Sequence, residues 1–235
     1  MIRIFLFIAL VAIASSCQEP TLEKRMNTLL DQYRSEDGMV DYESLKQNPS
    51  DVEEIIAIIQ SIDPESMEEN DRKAFIINSY NFLVIHGIVQ GGIEKTVKEN
   101  TAFFKQNRIS MNGDSASLDE LEHLELRAQY NDPRIHFALN CGATSCPPLS
   151  KEILNGADLE EQLDDLTREA LNDTTHVMII NEERIVRLSP IFDWYKEDFV
   201  QDGGVVRFIN RFRTDSIPAG FTIVFREYDW SLNSN

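Results

Sequence analysis

Apolar residues recur at helical spacing along much of this chain and at strand spacing in only a few short runs. Leu22, Met26, Leu29, Leu30 and Tyr33 share one face of a helix predicted over residues 22–33. Ile55, Ile56, Ile58, Ile59 and Ile62 predict a second over 51–62, with Ser50 and Glu53 at capping-box spacing before them. A third, over 68–89, differs in kind. Residues 75–89 are apolar nearly all round, which predicts burial at the centre of a domain. Asn78, Asn81 and His86 interrupt that run. At about 100° per residue they fan over roughly 140°, wide for one ligand cluster. An unpartnered buried amide costs about 1–3 kcal/mol, so the asparagines are expected to clamp adjacent loops. Three more helices are predicted: one opened by Ser117 with Glu120 and reaching Arg127, one over 159–171 and one over 205–212.

Strand signals are fewer. Asn112-Gly113 between 109–111 and 114–117 suits a two-residue hairpin, and 176–180 with 184–188 suits another. Residues 221–225 predict a closing strand. Between these lies the segment DPRIHFALNCGATSCPPL, residues 132–149. Arg134, His136, Ala138 and Asn140 alternate with Ile135, Phe137 and Leu139, which predicts an interior strand. Cys141 falls at its end, Gly142 allows a sharp turn, and Pro147-Pro148 fixes an extended exit. The aromatic run Phe192, Trp194, Tyr195 and Phe199 is expected in the core. Together these elements predict an α+β fold: a helix-rich single domain over 22–235, with a small, mostly antiparallel sheet and one central buried helix.

Composition narrows the partners. Twenty-two basic residues against 40 acidic ones give a net charge of -18, which argues against binding nucleic acid or docking on an anionic membrane surface. The start of the chain carries an address. Residues 1–16 hold one early charge, Arg3, and an apolar run too short to span a bilayer, which matches a secretory signal peptide. Ala14-Ser15-Ser16-Cys17 resembles a lipobox, so Cys17 is the expected lipidation site and residues 17–21 an acylated tether. The membrane is thereby a partner through an anchor, not a span. Gln18 after the cysteine favours the outer membrane over the inner within the cell envelope.

With Cys17 acylated, Cys141 and Cys146 remain of the 3 cysteines, in an exported and oxidising setting. They form a disulfide candidate if their Cα atoms lie within about 7 Å. So short a loop adds roughly 2 kcal/mol or less, mainly as local rigidity. The same residues also suggest chemistry. Cys141 is a candidate nucleophile and Cys146 a candidate redox partner for it. His86 or His123 is a candidate base, oriented by Asn78 or Asn81. His136 is a weaker base, since strand alternation aims it away from Cys141. Zinc held by His86, His123 and His136 with a cysteine matches no known close-packed spacing, and the single Glu120–His123 pair falls short of a di-metal site, so no cofactor is expected. The remaining reading is a tethered domain that binds a small-molecule or protein partner of unknown identity.

Several blocks occur in a distinctive order: Asn78-Ser-Tyr80-Asn81 then His86; Ser117 to His123 with Arg127; the Cys-Gly-x-x-Ser-Cys-Pro-Pro block; Leu188 to Tyr195; and Tyr228-Asp-Trp-Ser-Leu-Asn233. In that order they resemble the family called domain of unknown function 547, over most of residues 25–233, and suggest a bacterial lipoprotein member. The resemblance implies a shared fold, with relatives that are exported bacterial proteins or parts of larger plant chains, some joined to glutaredoxin-like modules. It implies no particular reaction.

Overall fold

A computed structural model describes residues 20–235; the predicted signal segment and the lipidation candidate Cys17 lie outside the described residues. Helix α1 (Leu22–Tyr33) starts where the Thr21 hydroxyl accepts from the Lys24 N–H, and buries Met26, Leu29, Leu30 and Tyr33. Helix α2 (Tyr42–Gln47) is capped by Asp41, whose side chain accepts from the Ser44 N–H. Helix α3 (Ser50–Gln60) has Pro49 at its cap position, and no side chain caps it. The expected Ser50 capping box is therefore not formed, because Ser50 is already helical and Pro49 supplies the preset backbone angle.

Helix α4 (Glu69–Gln90) is the axis of the molecule, buried on all sides from Lys73 to Ile85. Its two buried asparagines act as the cost of an unpaired amide demands. Asn78 donates to the Leu154 carbonyl at 2.8 Å and accepts from the Leu154 N–H at 3.0 Å. Asn81 donates to the Ala138 carbonyl at 2.9 Å and accepts from the Asn140 N–H at 2.8 Å. Each amide thus fastens a separate loop onto α4.

A short α5 (Phe103–Gln106) leads into β1 (Arg108–Met111) and β2 (Asp114–Ser117), which pair antiparallel with Met111 opposite Asp114. Asn112 and Gly113, both at positive φ, make the turn. The Ser117–Glu120 capping box forms in full and opens α6 (Leu118–Glu120). The rod continues as a π-helical segment, Leu121–Arg127, and ends as α7 (Ala128–Tyr130). In the π segment the Ala128 N–H reaches back five residues to the His123 carbonyl.

The central segment is not a strand. Pro133–Phe137 is a 3-10 helix, with Asp132 capping it by accepting from the Arg134 N–H at 3.0 Å and Pro133 at its first position. Period-two alternation misleads here because Ile135, His136, Phe137, Ala138, Leu139 and Asn140 are all buried, so the segment has no solvent face. It joins two cores. Ile135, Ala138 and Leu139 pack into the large cluster around α4, whereas Phe137 packs into a second, aromatic cluster with Phe192, Phe199, Phe208 and Phe212.

That second core lies among α8 (Leu159–Asn172), α9 (Ile191–Trp194), α10 (Val205–Phe212) and a three-stranded sheet. In the sheet β3 (Val177–Ile180) pairs antiparallel with β4 (Ile185–Leu188), and β5 (Thr222–Phe225) adds to β4 in parallel. The architecture is a single-domain α+β fold, about half helical, with one small antiparallel sheet and one three-stranded sheet. Among the described residues no helix is long and apolar enough to cross a membrane.

Candidate functional site

Cys141 and Cys146 are joined by a disulfide, with Cα atoms 6.2 Å apart. The loop between them is held from several directions. Asn140 donates to the Pro147 carbonyl at 2.8 Å and accepts from the Gly142 N–H at 2.9 Å. The C-terminal tail crosses the loop: Asn233 N–H donates to the Gly142 carbonyl at 3.1 Å, and Ala143 bridges Leu232. Gly142 sits at φ +81°, where a Cβ would lie 2.7 Å from Ile88 Cδ1 and 3.2 Å from Val97 Cγ1. Gly142→Ala is therefore expected to lower stability by about 2 kcal/mol or more, from backbone strain plus overpacking. Denaturant unfolding checks this, and an unchanged midpoint would contradict the close packing of loop and α4.

The disulfide forms part of the wall of a cavity of about 290 Å³ between the two cores. Tyr80 of α4, Glu122 and His123 of the π segment, His136 of the 3-10 helix, Trp194 of α9 and Tyr228 of the tail also face it. The aromatic run around residue 194 is thus split. Phe192 and Phe199 are core, but Trp194 is 48% exposed and stacks at 5.9 Å between ring centres with Trp230, another lining residue.

On one side of the cavity the lining residue His136 shares the Asp198 carboxylate with Arg127. His136 Nε2 lies 2.7 Å from Asp198 Oδ2, and Arg127 grips the same carboxylate with two bonds of 2.6 and 2.8 Å. Burial alone would raise the Asp198 pKa, but hydrogen bonds from His136 and Arg127 outweigh it and hold the carboxyl well below the usual range. An ionised carboxylate only accepts, so His136 donates from Nε2. Arg127 Nη1 also reaches His123 Nδ1 at 2.8 Å. Arginine only donates, so His123 accepts there and carries its proton on Nε2. The Tyr195 ring lies between these groups, stacked on His136 at 4.0 Å and 4.7 Å from the Arg127 guanidinium.

The other side is a ring of phenols around Glu122. The Tyr80 hydroxyl lies 3.5 Å from Glu122 Oε2, and the Glu122 carboxylate also acts on the Tyr195 phenol. Burial, then the Glu122 charge, push the phenols of Tyr80, Tyr195 and Tyr228 well above their ordinary range. All three stay protonated and serve as donors. Tyr228 also reaches both sulfurs, at 3.1 Å to Cys146 Sγ and 3.3 Å to Cys141 Sγ.

Of the residues singled out from sequence, the fold gathers Cys141, Cys146, His123 and His136 on one cavity. His136 thus shares the cavity with Cys141, against the expectation from strand alternation, because the segment is a 3-10 helix. His86, Asn78 and Asn81 are elsewhere. His86 is half-buried on α4, its pKa lowered by burial with Glu53 opposing. Both asparagines spend their amides on backbone and orient no histidine. Glu120 is occupied by its cap with Ser117. Among the described residues no group of three or more His, Cys, Asp or Glu side chains is placed to hold a metal ion. Sequence reasoning missed Asp198, Glu122, Tyr195, Tyr228, Trp194 and Trp230 as site residues. Of these, all but Asp198 carried a usable signal, since Glu122, Trp194, Tyr195, Tyr228 and Trp230 lie in the distinctive blocks.

The fold defines a single-domain α+β protein with a disulfide-walled aromatic cavity. Residues 64–170 match the family described as "Protein of unknown function, DUF547". The matched residues include α4, the π segment and the disulfide loop, while Trp194, Asp198 and Tyr228 lie beyond them. No curated protein and no solved structure matches the chain.

Proposed function

We propose that this chain is a lipid-anchored cell-envelope domain, tethered through Cys17 to the outer membrane, that binds a small ligand in the disulfide-walled cavity. The observation that carries the binding reading is the convergence of aromatic faces and fixed polar groups on one concavity of about 290 Å³. Trp194, Trp230 and Tyr228 offer flat apolar surface, while Glu122, His123 and protonated phenols offer directional hydrogen bonds. Glu122 and a chain charge of -18 favour a neutral or cationic ligand with a ring-shaped body over an anion. No cofactor is needed for this reading. A hydrolase or acyl transferase built on Cys141 would need a free thiolate, which the disulfide withholds.

The test uses the protein's own fluorophores. Both of its 2 tryptophans line the cavity, so tryptophan emission reports on that site. A panel of neutral and cationic ring compounds is expected to include ligands that shift both emission and melting temperature. Trp194→Ala should weaken them at least about tenfold while leaving the fold intact, because that residue is about half exposed and lies outside both cores. A panel that moves neither signal would count against the binding reading. Anchoring has its own test: labelled palmitate should enter the wild type in bacteria, and Cys17→Ser should release the protein from membranes.

A further inference from the structure

We propose that the Cys141–Cys146 disulfide is exchange-active, oxidising small thiols that enter the cavity, with Cys141 the sulfur attacked and Cys146 the leaving sulfur. The proposal deepens the cavity reading and rests on it only in requiring that a small molecule reach the cavity.

The two sulfurs are not equivalent. Both cysteines line the cavity, but Cys146 is 7% exposed whereas Cys141 is more open. The donors favour the opposite sulfur. Cys146 Sγ alone accepts from the Cys141 backbone N–H, at 3.0 Å, and the Tyr228 hydroxyl lies nearer to it, at 3.1 Å, than to Cys141 Sγ, at 3.3 Å. A disulfide sulfur carries no proton, so Tyr228 is the donor. Burial keeps that phenol protonated, with Glu122 adding to the effect. Two donors are therefore in place where negative charge develops when the bond breaks, before any reaction starts. Nucleophile access is at one sulfur and leaving-group stabilisation is at the other, the polarity that exchange requires.

The loop does not depend on the disulfide for its shape. Asn81 holds the Asn140 N–H, Asn140 binds the chain at Gly142 and Pro147, and the tail bonds Gly142, Thr144 and Ser145. Opening the bond leaves those contacts in place, so the reduced and oxidised forms share a scaffold.

The chemistry balances as follows. A thiolate R–S⁻ attacks Cys141 Sγ, an R–S–Cys141 bond forms, and the pair of the broken S–S bond moves to Cys146 Sγ. A second small thiolate attacks the R-bearing sulfur, releasing the Cys141 thiolate and a small disulfide. Two small thiols are oxidised, one protein disulfide is reduced, and their two protons end on Cys141 and Cys146. The protein disulfide is the oxidant and the small thiol the reductant.

The experiment follows reduction of the folded protein by glutathione, with alkylation and mass measurement at each time. Wild type is expected to reduce faster than the same protein unfolded in denaturant at matched pH. Tyr228→Phe should slow reduction about tenfold by removing one donor, with an unchanged melting temperature. Should Tyr228→Phe fail to fold, the cysteine variants decide. Cys146→Ser should capture oxidised glutathione as a mixed disulfide on Cys141 at least tenfold faster than Cys141→Ser captures it on Cys146. Folded-state reduction no faster than unfolded, or equal capture by the two cysteine variants, would overturn the proposal. Ring-compound binding with inert sulfur chemistry would sink the exchange alone. Fast, polarised exchange without any ring-compound binding would sink only the binding reading.

Discussion

Asp132→Ala is expected to lower folding stability by about 3–5 kcal/mol, the largest effect of any single substitution considered for this chain. For a protein of this size that corresponds to a melting temperature lower by on the order of 10 °C. The reason is Lys73, which lies on α4 only 4% exposed with its ammonium 2.6 Å from Asp132 Oδ2. Removing the carboxylate strands a buried cation. Arg134 loses less, since it keeps Glu160 and Asp164 at 2.7 Å each. Asp132 also caps the 3-10 helix that delivers His136, so the substitution loosens the cavity wall as well. Asp132→Asn separates the two roles. It keeps an acceptor for the Arg134 N–H but gives up the charge, so it should cost less than the alanine. Adding Lys73→Met to Asp132→Asn should recover much of the loss, because an apolar replacement of both members of a buried pair is often neutral. Denaturant unfolding of the four proteins checks the scheme. A loss below about 1 kcal/mol for Asp132→Ala would show that Lys73 finds another partner.

The same segment shows what the sequence could and could not reveal. The central helix was legible because a run apolar all round has only one stable place, and the fate of its asparagines followed from the cost of an unpaired amide. The amphipathic helices α1, α8 and α10 were legible from one-sided periodicity. Residues 134–140 failed for the opposite reason. Every position from Ile135 to Asn140 is buried between two cores, so its alternation of polar and apolar types reported partners and not faces. The local evidence for a helix was present, since Asp132 followed by Pro133 is a cap followed by a proline at the first turn. That signal outranks alternation when both faces are covered.

The cavity was legible only in part, for reasons of distance along the chain. His136 finds Asp198 62 residues away, and Cys141 finds Tyr228 87 residues away. Asp198 sits in Lys-Glu-Asp-Phe, which reads as an ordinary charged turn. Nothing local marks one of its two acids as the partner of a buried imidazole. The π segment was equally hidden. Leu121–Arg127 has an unbroken helical pattern, and nothing in it marks the wider turn with which it packs against α4. It carries Glu122 and His123, which line the cavity, and Arg127, which grips Asp198.

Acidification from pH 6.5 toward 4 should weaken the fold, and the cause is His176. This histidine is 1% exposed, and its Nδ1 has no hydrogen-bond partner. Burial pushes its pKa down from 6.5 to about 4, with nearby Asp173 opposing and Arg226 assisting. A folded pKa below the unfolded one means that the unfolded chain binds the proton first as pH falls. The neutral form's contribution is fully present above pH 6.5, declines as pH falls from 6.5 toward 4, and is lost below that. Integrated over that interval the loss is about 3 kcal/mol. Asp132 acts in a separate window. Burial raises its pKa, but Arg134 and Lys73 bring it from 3.8 to about 2, so its contribution is lost only as pH falls through that range. The two steps should therefore appear in sequence in a pH series of urea unfolding. His176→Leu removes the proton-binding site, and the drop between pH 7 and roughly 4.5 should then shrink by about 2–3 kcal/mol relative to wild type. The upper step should persist unchanged in Asp132→Asn, which alters only the lower one. If His176→Leu retains the full loss across that interval, the buried imidazole is not what the proton attacks.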